Sequence, residues 1–264
     1  MLASVLEDAS FTPQEIVSLP EKALTASLPI QLPTEVLWVE HVHSTYNNNN
    51  CALSVEEAWE LEASTRLQSR SEVWHAERSK RLTASDFGEI VSRQKEVDEN
   101  FLSRVFGNTA VKTRHMSFGV ENEEPAVARY IALKKGSVTV YDCGLCVNPG
   151  VPVLAASPDR VVAEGDQFGL AEVKTLAASK ERQEPLEESM RSAVYLKDNK
   201  LRRNHKYYYQ VQGQMAISGL VWCDFIVDNG AACASERIPF DRDLWVNKML
   251  PCLLQFYALH KCKG

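Results

Sequence analysis

The sequence contains no apolar run that approaches the roughly 20 residues needed for a membrane-spanning helix. Near its start it carries Glu7 and Asp8 where a secretory signal would carry basic residues. These features predict an intracellular protein, nuclear or cytoplasmic, that is neither secreted nor embedded in a membrane.

The chain also lacks an overall positive charge, since its formal net charge is −6. A nucleic-acid-binding role therefore requires basic side chains that are concentrated locally. The densest such run comprises Lys197, Lys200, Arg202, Arg203, His205 and Lys206. Tyr207, Tyr208 and Tyr209 follow it directly. Basic residues beside aromatic ones are typical of a nucleic-acid channel, and a solvated run of charges is the alternative interpretation.

Cysteines at disulfide or zinc spacing are lacking as well. The seven cysteines are odd in number and scattered, which favours reduced thiols. Cys143 and Cys146 form a single CxxC motif without a second Cys or His pair at zinc spacing. A redox or zinc protein built on this pair is a remote alternative.

Length and composition favour one large domain with a tail. The chain has 264 residues, of which 45% are hydrophobic, enough for a substantial core. Residues 1–50 contain repeated prolines and the polar run 47–50, so this segment is predicted to be a partly disordered tail. Residues 51–264 are predicted to form the functional domain.

The hydrophobic pattern predicts helices that flank a mixed sheet. Helices are expected from the capping box at Ser54, from about residue 83, and over 121–134, 204–218 and 241–260. Strands are expected over 137–147, 151–163, 168–176, 220–227 and 235–240. Residues 177–203 are charged and predict a loop or a short helix.

Three charged residues on two adjacent strands suggest a catalytic site. Glu172 and Lys174 are two apart, so they point to the same face of their strand. Asp159 precedes them at hairpin distance, with a turn at 164–167. Two carboxylates bind a hard cation such as Mg²⁺, and an adjacent ammonium can orient or deprotonate water. A solvated strand edge is the alternative for the Glu-Val-Lys triplet alone.

Other residues could complete that site. Glu121 and Glu123 lie near the start of a predicted helix, where either could face a metal or both could favour the helix N-terminus. Gln210 and Gln214 share one helical face and could bind water or a phosphate oxygen, a solvated glutamine face being the alternative.

A candidate phosphate site precedes these motifs. Arg78, Arg81 and Ser85 lie beside a predicted helix start, which suits a phosphate. Simple capping by Thr83 or Ser85 is compatible with the same pattern.

The order of these motifs resembles the YqaJ-type viral recombinase, or lambda-phage-type exonuclease, group of PD-(D/E)xK nucleases. The resemblance covers about residues 62–259. Its motifs are Thr65, Gln68-Ser69, Trp74, Arg78, Arg81 to Ser85, Gly119 to Glu123, Ser157-Pro158-Asp159, Glu172-Val173-Lys174 and Leu201 to Gln214. Arg160 departs from the family pattern, where glycine often follows Pro-Asp, and could contact DNA or cap the turn.

The resemblance implies an α/β fold of the restriction-endonuclease type with a mixed central sheet. It implies metal ligands at Asp159, Glu172, Glu123 and the Val173 backbone carbonyl, with Glu121 the alternative helix acid. Lys174 would be the catalytic lysine, and Gln210 would line the site. The expected cofactor is Mg²⁺, with Mn²⁺ as a substitute.

The resemblance further implies a 5′-to-3′ exodeoxyribonuclease that acts on duplex ends in DNA recombination or repair. Arg78 and Ser85 match the positions that hold a terminal 5′ phosphate. The remaining expected DNA contacts are Arg81, Arg160, Arg202, Arg203, Lys206 and Tyr208. A homo-oligomer and a single-strand-annealing recombinase partner are also expected. An endonuclease, an RNA-directed nuclease and an inactive DNA-binding module remain alternatives.

Overall fold

The computed structural model describes residues 51–106, 114–176 and 184–261, without the side chains of residues 114–121. The predicted tail, residues 1–50, lies outside the described residues, as does the side chain of Glu121. Within the described ranges, no helix combines the length and apolar character needed to cross a membrane.

The helices are α1 (Val55–Ser64), α2 (Glu72–Ser79), α3 (Ala84–Val91), α4 (Glu99–Phe106), α5 (Arg114–Leu133), α6 (Leu186–Ser192), α7 (Lys206–Ser218), α8 (Arg242–Leu244) and α9 (Leu250–His260). A π-helical turn, Trp245–Met249, joins α8 to α9, so one run of helix covers the segment predicted as a closing helix. The capping box at Ser54 is present, because its hydroxyl accepts from the Glu57 amide and the Glu57 carboxylate accepts from the Ser54 amide. The predicted third helix begins earlier than expected, at Arg114.

The strands are β1 (Leu82–Thr83), β2 (Val138–Asp142), β3 (Cys146–Val147), β4 (Leu154–Ala156), β5 (Arg160–Glu164), β6 (Gln167–Thr175), β7 (Leu196–Lys197), β8 (Lys200–Leu201), β9 (Trp222–Asp228) and β10 (Cys233–Pro239). The central sheet has the order β10-β9-β6-β5-β2. Strands β6 and β9 pair in parallel, and the other neighbours pair antiparallel. The sheet is therefore mixed, as predicted.

Two predicted strands were wrong in extent. Each of the segments 137–147 and 151–163 is divided between the central sheet and a small sheet of order β1-β4-β3. The interruption in the second segment is Ser157 to Asp159, where Pro158 cannot donate to a strand ladder. Asp159 therefore lies in a turn just before β5, not within a strand.

The two faces of the central sheet are covered by different helices. Val173 packs with Ala126 and Tyr130 of α5. Leu170 packs in the main core with residues of α3, α7 and the C-terminal helix, such as Val211. Because side chains alternate along a strand, Glu172 and Lys174 point away from α5 and towards α7.

Two glycines allow α3 and α7 to lie close together. A Cβ on Gly88 would be 2.5 Å from the Lys206 Cα, and a Cβ on Gly213 would be 2.4 Å from the Phe87 ring. The residues at the start of α3 are thereby brought close to the helix that lines the β6 face.

Candidate active site

Glu172 and Lys174 form an ion pair on the α7-facing side of β6. The Lys174 Nζ lies 2.5 Å from the Glu172 Oε1. Glu172 is only 2% exposed. Burial disfavours the charged lysine, but the negative charges of Glu172 and Asp159 outweigh it and raise the pKa of Lys174. The spacing argument from the sequence thus placed both side chains correctly.

Two amides of α7 hold the Glu172 carboxylate. The Gln210 Nε2 donates to Oε1 at 2.6 Å, and the Gln214 Nε2 donates to Oε2 at 2.7 Å. The sequence pattern offered Gln210 and Gln214 together as candidate site amides, whereas the family resemblance assigned only Gln210 to the site. The spacing of four between them was the available signal, since residues four apart share a helical face.

Asp159 approaches β6 from the turn before β5. Its Oδ2 accepts from the Val173 backbone N–H at 2.7 Å. In a strand, the N–H and C=O of one residue point to the same side, so the Val173 carbonyl is directed towards Asp159 as well. Burial raises the pKa of Asp159 well above its usual range, and the charges of Glu172 and Glu123 raise it further. The Lys174 charge and the Val173 amide oppose this shift.

Residues upstream in the chain hold the Asp159 turn in place. The Gln68 Nε2 donates to the carbonyls of Cys143 and Pro158 at 2.8 and 2.9 Å. The Trp74 Nε1 donates to the Ser157 Oγ at 2.9 Å. Gln68 and Trp74 belong to the motifs that carry the family resemblance, and here they support the turn that presents Asp159.

Glu123 binds Arg160. The Arg160 Nη1 lies 2.5 Å from the Glu123 Oε1, and the Arg160 Nη2 pairs with Glu124. Burial raises the pKa of Glu123, although the Arg160 charge opposes the shift. Arg160 itself is 7% exposed and donates to the Asp159 carbonyl, which agrees with the alternative that it caps the turn and leaves little of its surface for a DNA contact.

The oxygens around Asp159 fit a hard divalent cation. No group of three or more His, Cys, Asp and Glu side chains suited to a metal occurs within 51–106, 114–176 and 184–261. Asp159, Glu172 and the Val173 carbonyl nevertheless offer three oxygen-bearing groups, and Mg²⁺ is commonly held by one or two carboxylates plus water and substrate phosphates. Burial raises the pKa of Asp159 most, and repulsion from Glu172 and Glu123 raises it further; a cation between the carboxylates would relieve that repulsion.

A second polar cluster lies at the start of α3. The Arg78 Nη2 is 3.2 Å from the Thr83 Oγ1 and 3.5 Å from the Ser85 Oγ. Thr83 donates to Asp86 at 2.9 Å, and as N-cap it makes no side-chain bond to the helix amides. Burial lowers the pKa of Arg78 to about 10. The first amides of α3, the exposed Ser85 hydroxyl and Arg78 can together receive an anion.

Besides Arg160, two other predicted DNA contacts are buried. Arg81 is 2% exposed and donates to the carbonyls of Cys51, Glu77 and Pro152, so it holds the fold together. Tyr208 is 5% exposed. Its neighbour Tyr207 instead lies at the site, with its ring centroid 4.7 Å from the Lys174 Nζ. Successive residues of an α-helix are rotated by about 100°, so neighbouring tyrosines point in different directions. Because the three residues are identical, the sequence pattern did not show which of them would be buried.

The predicted basic run lies on the surface next to this site. Arg202, Arg203 and Lys206 are exposed. Lys206 pairs with Glu89 at 3.0 Å, and the Arg202 Nε donates to the Leu196 carbonyl at 2.9 Å. Each of these contacts occupies only some of the N–H donors of Lys206 or Arg202, and both side chains remain exposed at the surface.

The CxxC pair is buried beside the Asp159 turn. The sulfurs of Cys143 and Cys146 are 3.6 Å apart. The hydrogen bond between them and burial raise the pKa of the Cys143 thiol well above its usual range. Such a thiol is disfavoured as a nucleophile or metal ligand.

Comparisons with known proteins identify the family and the fold. The YqaJ-like viral recombinase domain model matches residues 73–221, more than half of the chain. An alkaline exonuclease, LHK-Exo from Laribacter hongkongensis, is similar in structure, with a TM-score of 0.54 and 25% sequence identity. The match covers 73% of this chain and 94% of that one. The same exonuclease in complex with dAMP gives 26% identity with the same TM-score and coverage.

A SOX protein in a DNA complex shares the fold, with a TM-score of 0.54, 13% identity, and coverage of 98% of this chain and 86% of that one. No curated protein matched the chain. The fold is therefore the restriction-endonuclease-like α/β fold of these nucleases, with its mixed sheet and flanking helices. The matched domain includes Arg78, Asp159, Glu172 and Gln210, and the chain belongs to the YqaJ-like viral recombinase domain family.

Proposed function

We propose that the protein is a divalent-metal-dependent exodeoxyribonuclease that degrades duplex DNA from 5′ ends during recombination or repair. The observation that carries this proposal is the convergence of Asp159, Glu172 and Lys174 where β6 extends past the start of β5. Membership of the family and similarity to a bacterial alkaline exonuclease support it.

Asp159, Glu172 and the Val173 carbonyl would hold Mg²⁺, with Mn²⁺ as a substitute. A cation there supplies Lewis-acid polarisation of a phosphoryl oxygen and lowers the pKa of bound water. Gln210 and Gln214 would keep the Glu172 oxygens in place for the metal through their side-chain amide donors.

Lys174 would act on the scissile phosphate. Its ammonium contacts Glu172 and lies beside the Tyr207 ring, at the edge of the protein surface. From this position it orients the attacking water and donates to the phosphate oxygens as negative charge develops on them.

The cluster at the start of α3 would select the DNA end. Arg78, Ser85 and the first amides of α3 would bind the terminal 5′ phosphate, since the cluster combines a guanidinium, a hydroxyl and a helix N-terminus. The exposed side chains of Arg202, Arg203 and Lys206 would contact the DNA backbone. A homo-oligomer and a single-strand-annealing recombinase partner remain predictions from the family resemblance.

The test is degradation of a 5′-phosphorylated linear duplex in Mg²⁺. Wild-type protein should release nucleotides, Lys174→Ala should not, and Lys95→Ala, a change at an exposed lysine, should behave as wild type. Degradation that survives Lys174→Ala would refute the assigned chemistry.

Substrate controls separate the alternatives. Cleavage of closed circular DNA as fast as linear DNA would identify an endonuclease. Preferential cleavage of RNA would identify an RNA-directed nuclease, and DNA binding without cleavage in either Mg²⁺ or Mn²⁺ would identify an inactive binding module.

A further inference from the structure

Arg160 and Glu172 lie on opposite faces of the central sheet. Arg160 pairs in register with Ala171. Ala171 packs in the cluster beneath α5, so Arg160, at the same register position, points to the α5 side. Glu172, the next residue along β6, points to the α7 side. The acid on α5 and the acid on β6 therefore reach the Asp159 turn from different sides.

Arg160 is surrounded by acceptors on its side of the sheet. Its Nη1 lies 2.5 Å from both the Glu123 Oε1 and the Asp159 carbonyl oxygen. Its Nη2 pairs with Glu124, and its Nε lies 3.5 Å from the Asp142 Oδ1. A charge buried this deeply is tolerated because it is paired and hydrogen-bonded on several sides. Glu123 is thus held by a guanidinium that is always protonated.

We propose that Arg160 takes the place of a second divalent cation, so that the active site binds a single metal ion on Asp159 and Glu172. The inference rests on the proposed function, because it concerns the metal of that site. A two-metal nuclease site needs carboxylates around two cations about 4 Å apart. Here the third carboxylate of the cluster, Glu123, is already paired with a fixed positive charge.

Electrostatics favours this arrangement over a second ion. A second dication near Glu123 would have to displace the Arg160 ion pair or lie against a buried guanidinium, and like charges in a poorly solvated region repel strongly. Glu123 then orients Arg160 and, through it, the Asp159 carbonyl and the turn. Its role is that of a positioning residue, not a metal ligand.

The test is a Mn²⁺ titration of the full chain without DNA. The electron paramagnetic resonance signal of free Mn²⁺ measures how much of the ion remains unbound. Wild-type protein should bind one Mn²⁺ per chain. Asp159→Asn should weaken binding by about tenfold or more, whereas Glu123→Gln should stay within about twofold of wild type, since only the first removes a metal ligand. Two Mn²⁺ per chain, or Glu123→Gln as harmful as Asp159→Asn, would overturn the inference.

A second pair of variants tests whether Glu123 can bind a metal ion once Arg160 is removed. Arg160→Gly should bind a second Mn²⁺, whereas Arg160→Lys, which keeps a positive charge, should still bind one. If Arg160→Gly does not fold, the comparison of Glu123→Gln with Asp159→Asn decides the question alone. A wild-type protein that degrades DNA and binds two Mn²⁺ contradicts only this inference. One that neither binds Mn²⁺ nor degrades DNA contradicts the proposed function as well.

Discussion

The side-chain amide of Gln214 donates to the Glu172 Oε2 at 2.7 Å across the interface between α7 and β6. Both residues are almost fully buried. The Gln214 Oε1 has no hydrogen-bond partner within the described ranges. The amide is thus held by its donor side alone, and its contact with Glu172, together with that of Gln210, fixes where the carboxylate points.

Replacing Gln214 with glutamate should impair catalysis through metal binding. Gln214→Glu puts a second carboxylate against Glu172, so the Mg²⁺ concentration for half-maximal rate should rise and the rate should fall by about 10- to 100-fold. The measurement is the rate of duplex degradation across a Mg²⁺ titration. Gln94→Glu, the same change at an exposed glutamine, is the control. Equal Mg²⁺ dependence in both variants would mean that Gln214 does not position Glu172.

Replacing Arg78 with lysine should remove the preference for 5′-phosphorylated DNA ends. Arg78→Lys keeps the charge but loses the forked donor set that reaches Thr83 and Ser85. The rate on 5′-phosphate ends should fall by about tenfold, towards the rate on 5′-hydroxyl ends, because one charged hydrogen bond contributes about 1.5–3 kcal/mol. Arg70→Lys on the surface is the matched control. An unchanged preference in Arg78→Lys would place the terminal phosphate elsewhere.

Acidification should destabilise the start of α7 through His205. Its Nδ1 accepts from the Tyr207 amide as an N-cap, which requires an unprotonated nitrogen. Burial lowers the pKa of His205, and the charges of Lys206 and Arg202 lower it further. As pH falls, the unfolded chain therefore binds its proton first, with a pKa of about 6.5. The stability from neutral His205 is fully present above that value and declines as pH falls towards the folded-state pKa.

The measurement for His205 is the melting temperature between about pH 8 and pH 5, bracketing the unfolded-state histidine pKa. His205→Asn keeps a capping side chain that does not titrate. The wild-type melting temperature should fall more than that of His205→Asn over this range. Parallel curves for the two proteins would show that His205 does not contribute to the pH dependence.

Adding a methyl group at Gly213 should separate α7 from α3. The new Cβ would lie 2.4 Å from the Phe87 ring, so Gly213→Ala should lower the free energy of unfolding by about 1–3 kcal/mol despite the better helix propensity of alanine. Chemical denaturation measures this change. The double variant with Phe87→Leu should lose less than the sum of the two single changes, because the smaller side chain vacates the space. Additive losses would mean that the two residues are not in contact.

Local rules were sufficient to predict the geometry of the strand that carries Glu172 and Lys174. A period of two puts Glu172 and Lys174 on one face, the turn at Gly165 brings β5 back against β6, and a spacing of four puts Gln210 and Gln214 together. The same rules predicted the capping box at Ser54 and the mixed sheet. These features depend on residues close in sequence, whose relative directions are dictated by backbone geometry.

Only the tertiary structure decided which charges pair with each other on each face of the sheet. Arg160 and Glu123 are 37 residues apart and meet because α5 covers the Arg160 face of β5. Arg81 is used inside the fold, and Tyr207, not Tyr208, reaches Lys174. Long flexible side chains have many possible partners, and the sequence pattern shows only that they are charged. The sequence alone thus determined that two acids and a lysine meet at one end of the sheet, whereas the packing of α5 against the sheet decided how Glu123 is held and, by our inference, how many cations the site binds.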